Sequence, residues 1–308
     1  MNTRATCRRS TAYLGTIVTI EIAGPSPDDP AKHSAIDRAF EWFALVERTC
    51  TRFDPDSELM RLSRTMNEPR EVSVVLFEAV RFALALAKDT NGAFDPTIGL
   101  SMERRGFDRE HRTGATVHTP IEVDPGASFR DVRLDERTRS IALARPLVLD
   151  LGGVAKGLAI DMAAAELSAY PDFAIDAGGD VFMAGRNAQG RPWSVGIRHP
   201  RLPDSVLRVL DVSGEAVCTS GDYERIAPLA DEGHHILSPA TREAVRGVAS
   251  VTVIAPTAML ADGLSTAAFV LGPVDGLALL ARHGADGLIV DESLAEHGIG
   301  RLGREVPT

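Results

Sequence analysis

The order of β-rich and helical segments limits this chain more than any other feature. Its middle breaks into short β-rich runs, PLVLDLGG, FAIDAGGDVFMAG, WSVGIRHP, LRVLDV and VASVTVIA, set between glycine-rich turns, with one helix near Lys156 to Tyr170. Helical patterns lie mainly before and after this block. Strands and helices therefore do not alternate regularly, so the reading is α+β: mixed, largely antiparallel sheets with packed helices, not a doubly wound parallel sheet. The 308 residues, 44% hydrophobic and 25% charged, suffice for a substantial core. No linker divides them, so residues 1–308 are read as one domain, with room for two subdomains.

Local patterns support these assignments. TIVTIEI puts Val18, Ile20 and Ile22 on one face, the period of a half-buried strand, and it is read as the opening strand. Asp29 followed by Pro30 reads as a cap and first helical position, with Ile36, Phe40, Phe43 and Val46 at helical spacing to about Arg48. A second helix starts at Ser73 and stops at Asn91-Gly92, delivering the chain into GAFDPTIG. The last third holds a helix ending near Val270, another from Pro273 to His283, and a strand GLIVDE.

A net charge of −10 leaves no basic field for a nucleic-acid backbone, so an anionic ligand must be held locally by a cation, helix N-termini and a few basic groups. Cys7, Cys50 and Cys218 form no Cys-x-x-Cys pair, which removes a zinc knuckle or disulfide framework and fits a reducing compartment. MNTRATCRRSTAYLG carries no apolar stretch typical of a secretory signal, and Cys7 has none before it for a lipid anchor. No run approaches the roughly 18 apolar residues of a membrane span. The expectation is a cytoplasmic protein.

Five segments could carry chemistry. In DLGGVAKG, two glycines lead into a helix whose free N–H groups suit phosphate, although Lys156 precedes Gly157 and so breaks the Walker A order. It is equally a tight β-to-α turn. IDAGGD reads as a hairpin turn or as glycine-flanked carboxylates. TSGDYER and HHILSP are polar enough for exposed loops, but His235 beside a proline turn suits a general base. In AMLADGLSTA, a helix would set Asp262, Ser265 and Thr266 on one face, three oxygens fit for a hard cation, or Asp262 would only favour a helix dipole. GAFDPT brings Phe94 and Asp95 into a proline turn, with Phe94 by itself a core residue.

Taken together and in order, LGTIVTI, FDPDSELMRLSR, GAFDPTIG, DLGGVAKGLAID, IDAGGD, TSGDYER, HHILSP and SVTVIAPTAMLADGLSTA resemble the ApbE family of FAD:protein FMN transferases over nearly the whole chain. The resemblance implies an ApbE-like, T-fold-like architecture with FAD bound between any subdomains. It implies Mg2+ on Asp262 and Thr266, with Ser265 beside them and the Gly153 carbonyl completing the protein's share. It implies an FAD pocket lined by Leu14, Phe53, Ala93, Phe94, Asp95, Asp150, Lys156 and Ile236, with Lys156 offsetting phosphate charge. The implied reaction is attack by a Thr or Ser hydroxyl of an acceptor protein on the FMN-side phosphorus, expelling AMP, with His235, Lys156 and Asp222 as catalytic candidates. Hydrolysis of FAD to FMN and AMP, or FAD binding without turnover, are the alternatives. Leu14, Phe107, Ser238 and Arg242 depart from the family pattern, which usually has Met, Tyr, Asp and a turn glycine there.

Overall fold

A computed structural model describes residues 6–110, 113–225 and 233–303; residues 1–5, part of the stretch read for a secretory signal, lie outside them. The elements run β1 (Thr6–Tyr13), β2 (Thr16–Ala23), α1 (Pro30–Cys50), α2 (Glu58–Ser63), β3 (Arg70–Glu71), α3 (Val74–Asp89), α4 (Gly99–Arg104), β4 (Val132–Asp135) and β5 (Ser140–Leu143). They continue with α5 (Ala155–Glu166), β6 (Phe173–Ala177), β7 (Asp180–Ala184), β8 (Trp193–Arg198), β9 (Val206–Val212), β10 (Glu215–Gly221), β11 (Val248–Ala255), α6 (Ala258–Arg282), β12 (Asp286–Asp291) and β13 (Glu296–Ile299).

Eight strands form one sheet in the order β1-β2-β6-β7-β10-β11-β12-β13, with every neighbouring pair antiparallel. The fold is α+β. In β2, Val18, Ile20 and Ile22 are all fully buried, as the alternation predicts. The interior strand β11 is buried along its whole length, so VASVTVIA has no exposed polar face, and even its Ser250 and Thr252 are buried. One face of the sheet carries α5 and α6, with α1 packed on α5; the other is closed by the β8–β9 ribbon, whose Ile197 and Val212 meet Val181, Val217, Ile254 and Leu288. A small sheet, β3-β5-β4, stands apart.

Helix ends follow their caps. The Asp29 side chain accepts the Ala31 N–H (2.9 Å) with Pro30 in the first turn, and the Ser73 hydroxyl accepts that of Leu76 (3.2 Å). The predicted break before Pro273 is present: Gly272 takes φ 77 and ψ −177 inside α6.

Two expectations are corrected and one feature is added. The chain opens with β1, paired along its whole length to β2, before the strand expected first. PLVLDLGG forms no strand: Leu147, Val148 and Leu149 are buried in an extended segment whose bonds run to a turn and a short helix, Asp150 N–H to Pro96 (2.7 Å) and Gly99 N–H to Val148 (3.1 Å). Finally, α6 is long and apolar enough, by length and composition, to cross a membrane. A count of consecutive apolar residues misses it because Asp262, Ser265 and Thr266 interrupt the run. In the fold it lies against β10, β11 and β12.

Close approach of α5 and α6 depends on one glycine. A Cβ at Gly157 would sit 2.5 Å from both the Ala258 carbonyl oxygen and the Met259 Cα. Alanine is the better helix former by about 1 kcal/mol, but a backbone clash this short forces the helices apart, and overpacking costs about 1–3 kcal/mol. Gly157→Ala should therefore lower the thermal unfolding midpoint; a midpoint at or above that of the unsubstituted protein would refute this.

Candidate functional site

Four segments meet where α5 begins. The chain leaves the buried segment through Asp150, turns at Gly152-Gly153 and enters α5, whose first turn carries Lys156. Lys156 forms an ion pair with Asp180, the first residue of β7, which is 2% exposed. The other Asp180 oxygen accepts the N–H of Thr219 on β10 (2.9 Å). From the far side, Asp262 in the second turn of α6 accepts the Gly157 N–H (3.1 Å). Ser265, fully buried, donates to the Asp262 carbonyl (2.9 Å) and lies 2.8 Å from the Ser220 hydroxyl of β10, which is also 3.2 Å from that of Thr266. A Cβ at Gly153 would stand 3.1 Å from the Phe94 ring and 3.3 Å from the Thr266 hydroxyl. The glycine turn, the Phe94 turn, β10 and α6 thus converge on one small region.

Its electrostatics are unbalanced. Burial pushes the Asp262 carboxyl up to about 7, with Asp180 adding to the rise and Lys156 and the Gly157 N–H opposing it. Burial would lower Lys156, but Asp180 and Asp262 together hold its ammonium well above the ordinary range. Two buried carboxylates share one ammonium. Among the described residues no three His, Cys, Asp or Glu side chains gather as a metal cluster. A cation fitting here would therefore take one carboxylate, Asp262, with hydroxyl oxygens of Thr266, Ser265 or Ser220 and a carbonyl of the glycine turn, an all-oxygen set suited to Mg2+.

The remaining candidates divide. Asp150 lies beside the turn: Arg52, 7% exposed, donates to one of its oxygens (2.7 Å) and the Gly152 N–H to the other (2.8 Å). Burial raises this carboxyl, but Arg52 and that N–H more than offset it and hold it below the usual range. Arg52 also donates to the Phe107 carbonyl and lies 4.3 Å over the Phe53 ring. Asp95 is committed to its own turn: one oxygen takes the N–H (2.9 Å) and hydroxyl (2.7 Å) of Thr97, the other the Phe129 N–H (3.1 Å). It shapes the turn that holds Ala93 and the buried Phe94. Leu14 occupies the β1–β2 hairpin tip with φ 52 and donates its N–H to Glu47 (2.8 Å). That tip abuts the Gly178-Gly179 hairpin, since a Cβ at Gly178 would meet the Thr16 hydroxyl at 2.2 Å.

The adjacent histidines have opposite environments. His234 is fixed at both nitrogens, Nε2 bonded to the Val245 carbonyl (2.8 Å) and Nδ1 accepting the Ile236 N–H (3.2 Å), so Nε2 carries the proton. Among the described residues the buried Nδ1 of His235 has no hydrogen-bond partner, and its ring is set edge-on to Phe107 at 6.3 Å. Burial, then the positive charge of Arg225, push His235 down to about 3. Ile236 is buried in the core. Asp222 is not brought into the cluster: both its oxygens are held by Arg201 at 2.7 Å each, tying the TSGDYER turn to the β8–β9 ribbon. Lys156, expected to offset phosphate charge, is ion-paired with Asp180. Arg242 stands with φ 61, the backbone of the turn glycine it replaces.

Sequence reasoning missed Asp180, Ser220 and Arg52 as site residues. Asp180 and Ser220 lie inside IDAGGD and TSGDYER, so their signal was present but spoke equally for turns; Arg52 has no pattern of its own. A surface cleft of about 720 Å³ between α4 and residues 116–125 includes none of these side chains.

The chain is similar to known proteins over most of its length. The ApbE family profile matches residues 14–289. The FAD:protein FMN transferase of Haemophilus influenzae is 31% identical over 242 residues, covering 74% of this chain and 69% of that one. The FAD:protein FMN transferase of Salmonella typhimurium is 32% identical over 241 residues, with the same coverage. The crystal structure of the ApbE protein of Thermotoga maritima superposes with a TM-score of 0.84 at 31% identity, covering 98% of this chain and all of that one. The chain belongs to the ApbE family.

Proposed function

We propose that this protein transfers the FMN half of FAD to a Thr or Ser hydroxyl of an acceptor protein and releases AMP. Membership of a family whose similar members are FAD:protein FMN transferases supports the donor and the transfer. The observation that carries the site assignment is the meeting of Asp262, Ser265, Thr266 and Ser220 beside Gly153 and Phe94.

Asp262, Thr266 and a glycine-turn carbonyl would hold Mg2+, which would supply neutralisation of the pyrophosphate charge. Phe94 packs against Gly153, a contact that a residue with a Cβ would crowd, and so supports the glycine turn. Lys156 keeps Asp180 and Asp262 in place by its charge. His235, neutral at physiological pH and with its buried Nδ1 unpartnered among the described residues, is the group assigned to accept the acceptor's hydroxyl proton. The hydroxyl oxygen bonds to the FMN-side phosphorus, the bond from that phosphorus to the bridging oxygen breaks, and the bridging oxygen leaves on AMP.

The purified protein incubated with FAD, Mg2+ and lysate of its own host should yield a protein band with covalent flavin fluorescence and one AMP per flavin attached. AMP without a labelled protein would make it an FAD hydrolase. FAD bound and unchanged would overturn enzymatic turnover.

A further inference from the structure

The second turns of α5 and α6 each send a carboxylate to the first turn of the other helix. Asp161 of α5 accepts the two leading N–H groups of α6, Ala258 at 2.6 Å and Met259 at 2.9 Å, one on each oxygen. In return, Asp262 of α6 accepts the Gly157 N–H of α5 at 3.1 Å. Between these bonds Gly157 lies against Ala258 and Met259 so closely that a Cβ would stand 2.5 Å from them. Each helix therefore satisfies unpaired donors at the start of the other, and contact leaves no slack between them.

Two features separate Asp161 from an ordinary cap. First, α6 already has one: the Thr257 hydroxyl accepts the Leu260 N–H at 3.4 Å. Second, Asp161 reaches α6 from another helix, so its bonds fix where α6 starts relative to α5 as well as closing its end. Asp262 lies one turn beyond Ala258 and Thr266 one turn further, both on the rod whose first residues Asp161 grips. Gly153, which adjoins Thr266, lies just before α5.

We infer that Asp161 is a positioning residue for the cation site: by clamping the Ala258 and Met259 N–H groups it sets Asp262 and Thr266 at bonding distance from the glycine turn. A hard cation tolerates only a few tenths of an ångström in its oxygen distances, so a small slide of α6 along α5 loses affinity without unfolding anything. The inference rests on the cation reading of Asp262 and Thr266.

The test measures Mn2+ binding to the full-length protein by calorimetry, without FAD, beside thermal unfolding. Asp161→Asn keeps the shape but turns one acceptor into a donor facing an N–H; Asp161→Glu keeps charge and both acceptors but lengthens the arm by one methylene. Both should raise the Mn2+ Kd by about tenfold or more, the usual effect of losing an outer-shell support. Thr257→Ala, which weakens the same helix end without touching α5, should lower the unfolding midpoint and leave Kd within about twofold, the small change of a site left in place. Asp161→Glu gives the answer even if Asp161→Asn does not fold. If Asp161→Glu binds Mn2+ as the unsubstituted protein does, Asp161 is only a cap and the inference is overturned. If the unsubstituted protein itself binds no Mn2+, the cation reading fails and takes this assignment with it.

Discussion

Asp262→Asn should abolish flavin transfer while leaving the metal-free fold at least as stable as before. The two effects have separate causes. The amide still offers an oxygen to the Gly157 N–H, but it no longer supplies the one carboxylate in an otherwise hydroxyl and carbonyl set. Loss of a cation that stabilises phosphoryl charge by several kcal/mol lowers the rate by about a thousandfold or more. Stability moves the other way, because Asp180 and Asp262 are buried together against one ammonium and the substitution removes one of two like charges. Transfer assays at saturating Mg2+ and unfolding in chelator check the two halves. A variant within tenfold of normal activity would sink the cation assignment.

His235→Ala should slow transfer by about a hundredfold, the low end of the range for a positioned base because a buried imidazole held down to about 3 is a weak proton acceptor, with FAD affinity little changed. It should also make the protein more resistant to acid. The unfolded chain protonates this imidazole below its ordinary 6.5, whereas the folded protein keeps it neutral until about 3. A base held below its unfolded value contributes stability fully present above pH 6.5 and lost as pH falls toward 3; at pH 4 the loss is about 3 kcal/mol. Unfolding free energies of the variant and the unsubstituted protein should diverge in the variant's favour below pH 6.5. Parallel curves from pH 8 to 4 would show that His235 is not held neutral by the fold. A neutral imidazole also means that transfer should not decline between pH 7 and 5 through protonation of His235.

Legibility in the sequence tracked how many physical signals agreed at each element. β2 carries clear alternation, and α1 and α3 carry both periodicity and a cap, so their boundaries fall within a residue or two of expectation. β1 was illegible because TCRRSTAY buries little beyond Cys7 in an edge strand, so no alternation marks it. PLVLDLGG misleads for the opposite reason: burial on all sides makes it apolar, and apolar runs of that length look like strands whether or not a ladder partner exists. At the site, the oxygen face of α6 follows from helical spacing alone. The pairing of Lys156 with Asp180 does not, since it joins a helix start to a hairpin end and depends on the placement of β7 beside β10. The same holds for Asp222, whose exposed-looking loop gives no hint that Arg201 closes over it.

The shared ammonium has a consequence for the order in which ligands arrive. Lys156 is already committed to Asp180 and Asp262, so little of its charge is left over for a pyrophosphate. If a cation takes up that task, as proposed, it and FAD would favour each other's binding, each tightening the other by the same factor. Withdrawal of either would then loosen both, so departure of AMP after transfer would also weaken the hold on the ion. On that reading the added positive charge at the site is a visitor that comes and goes with turnover.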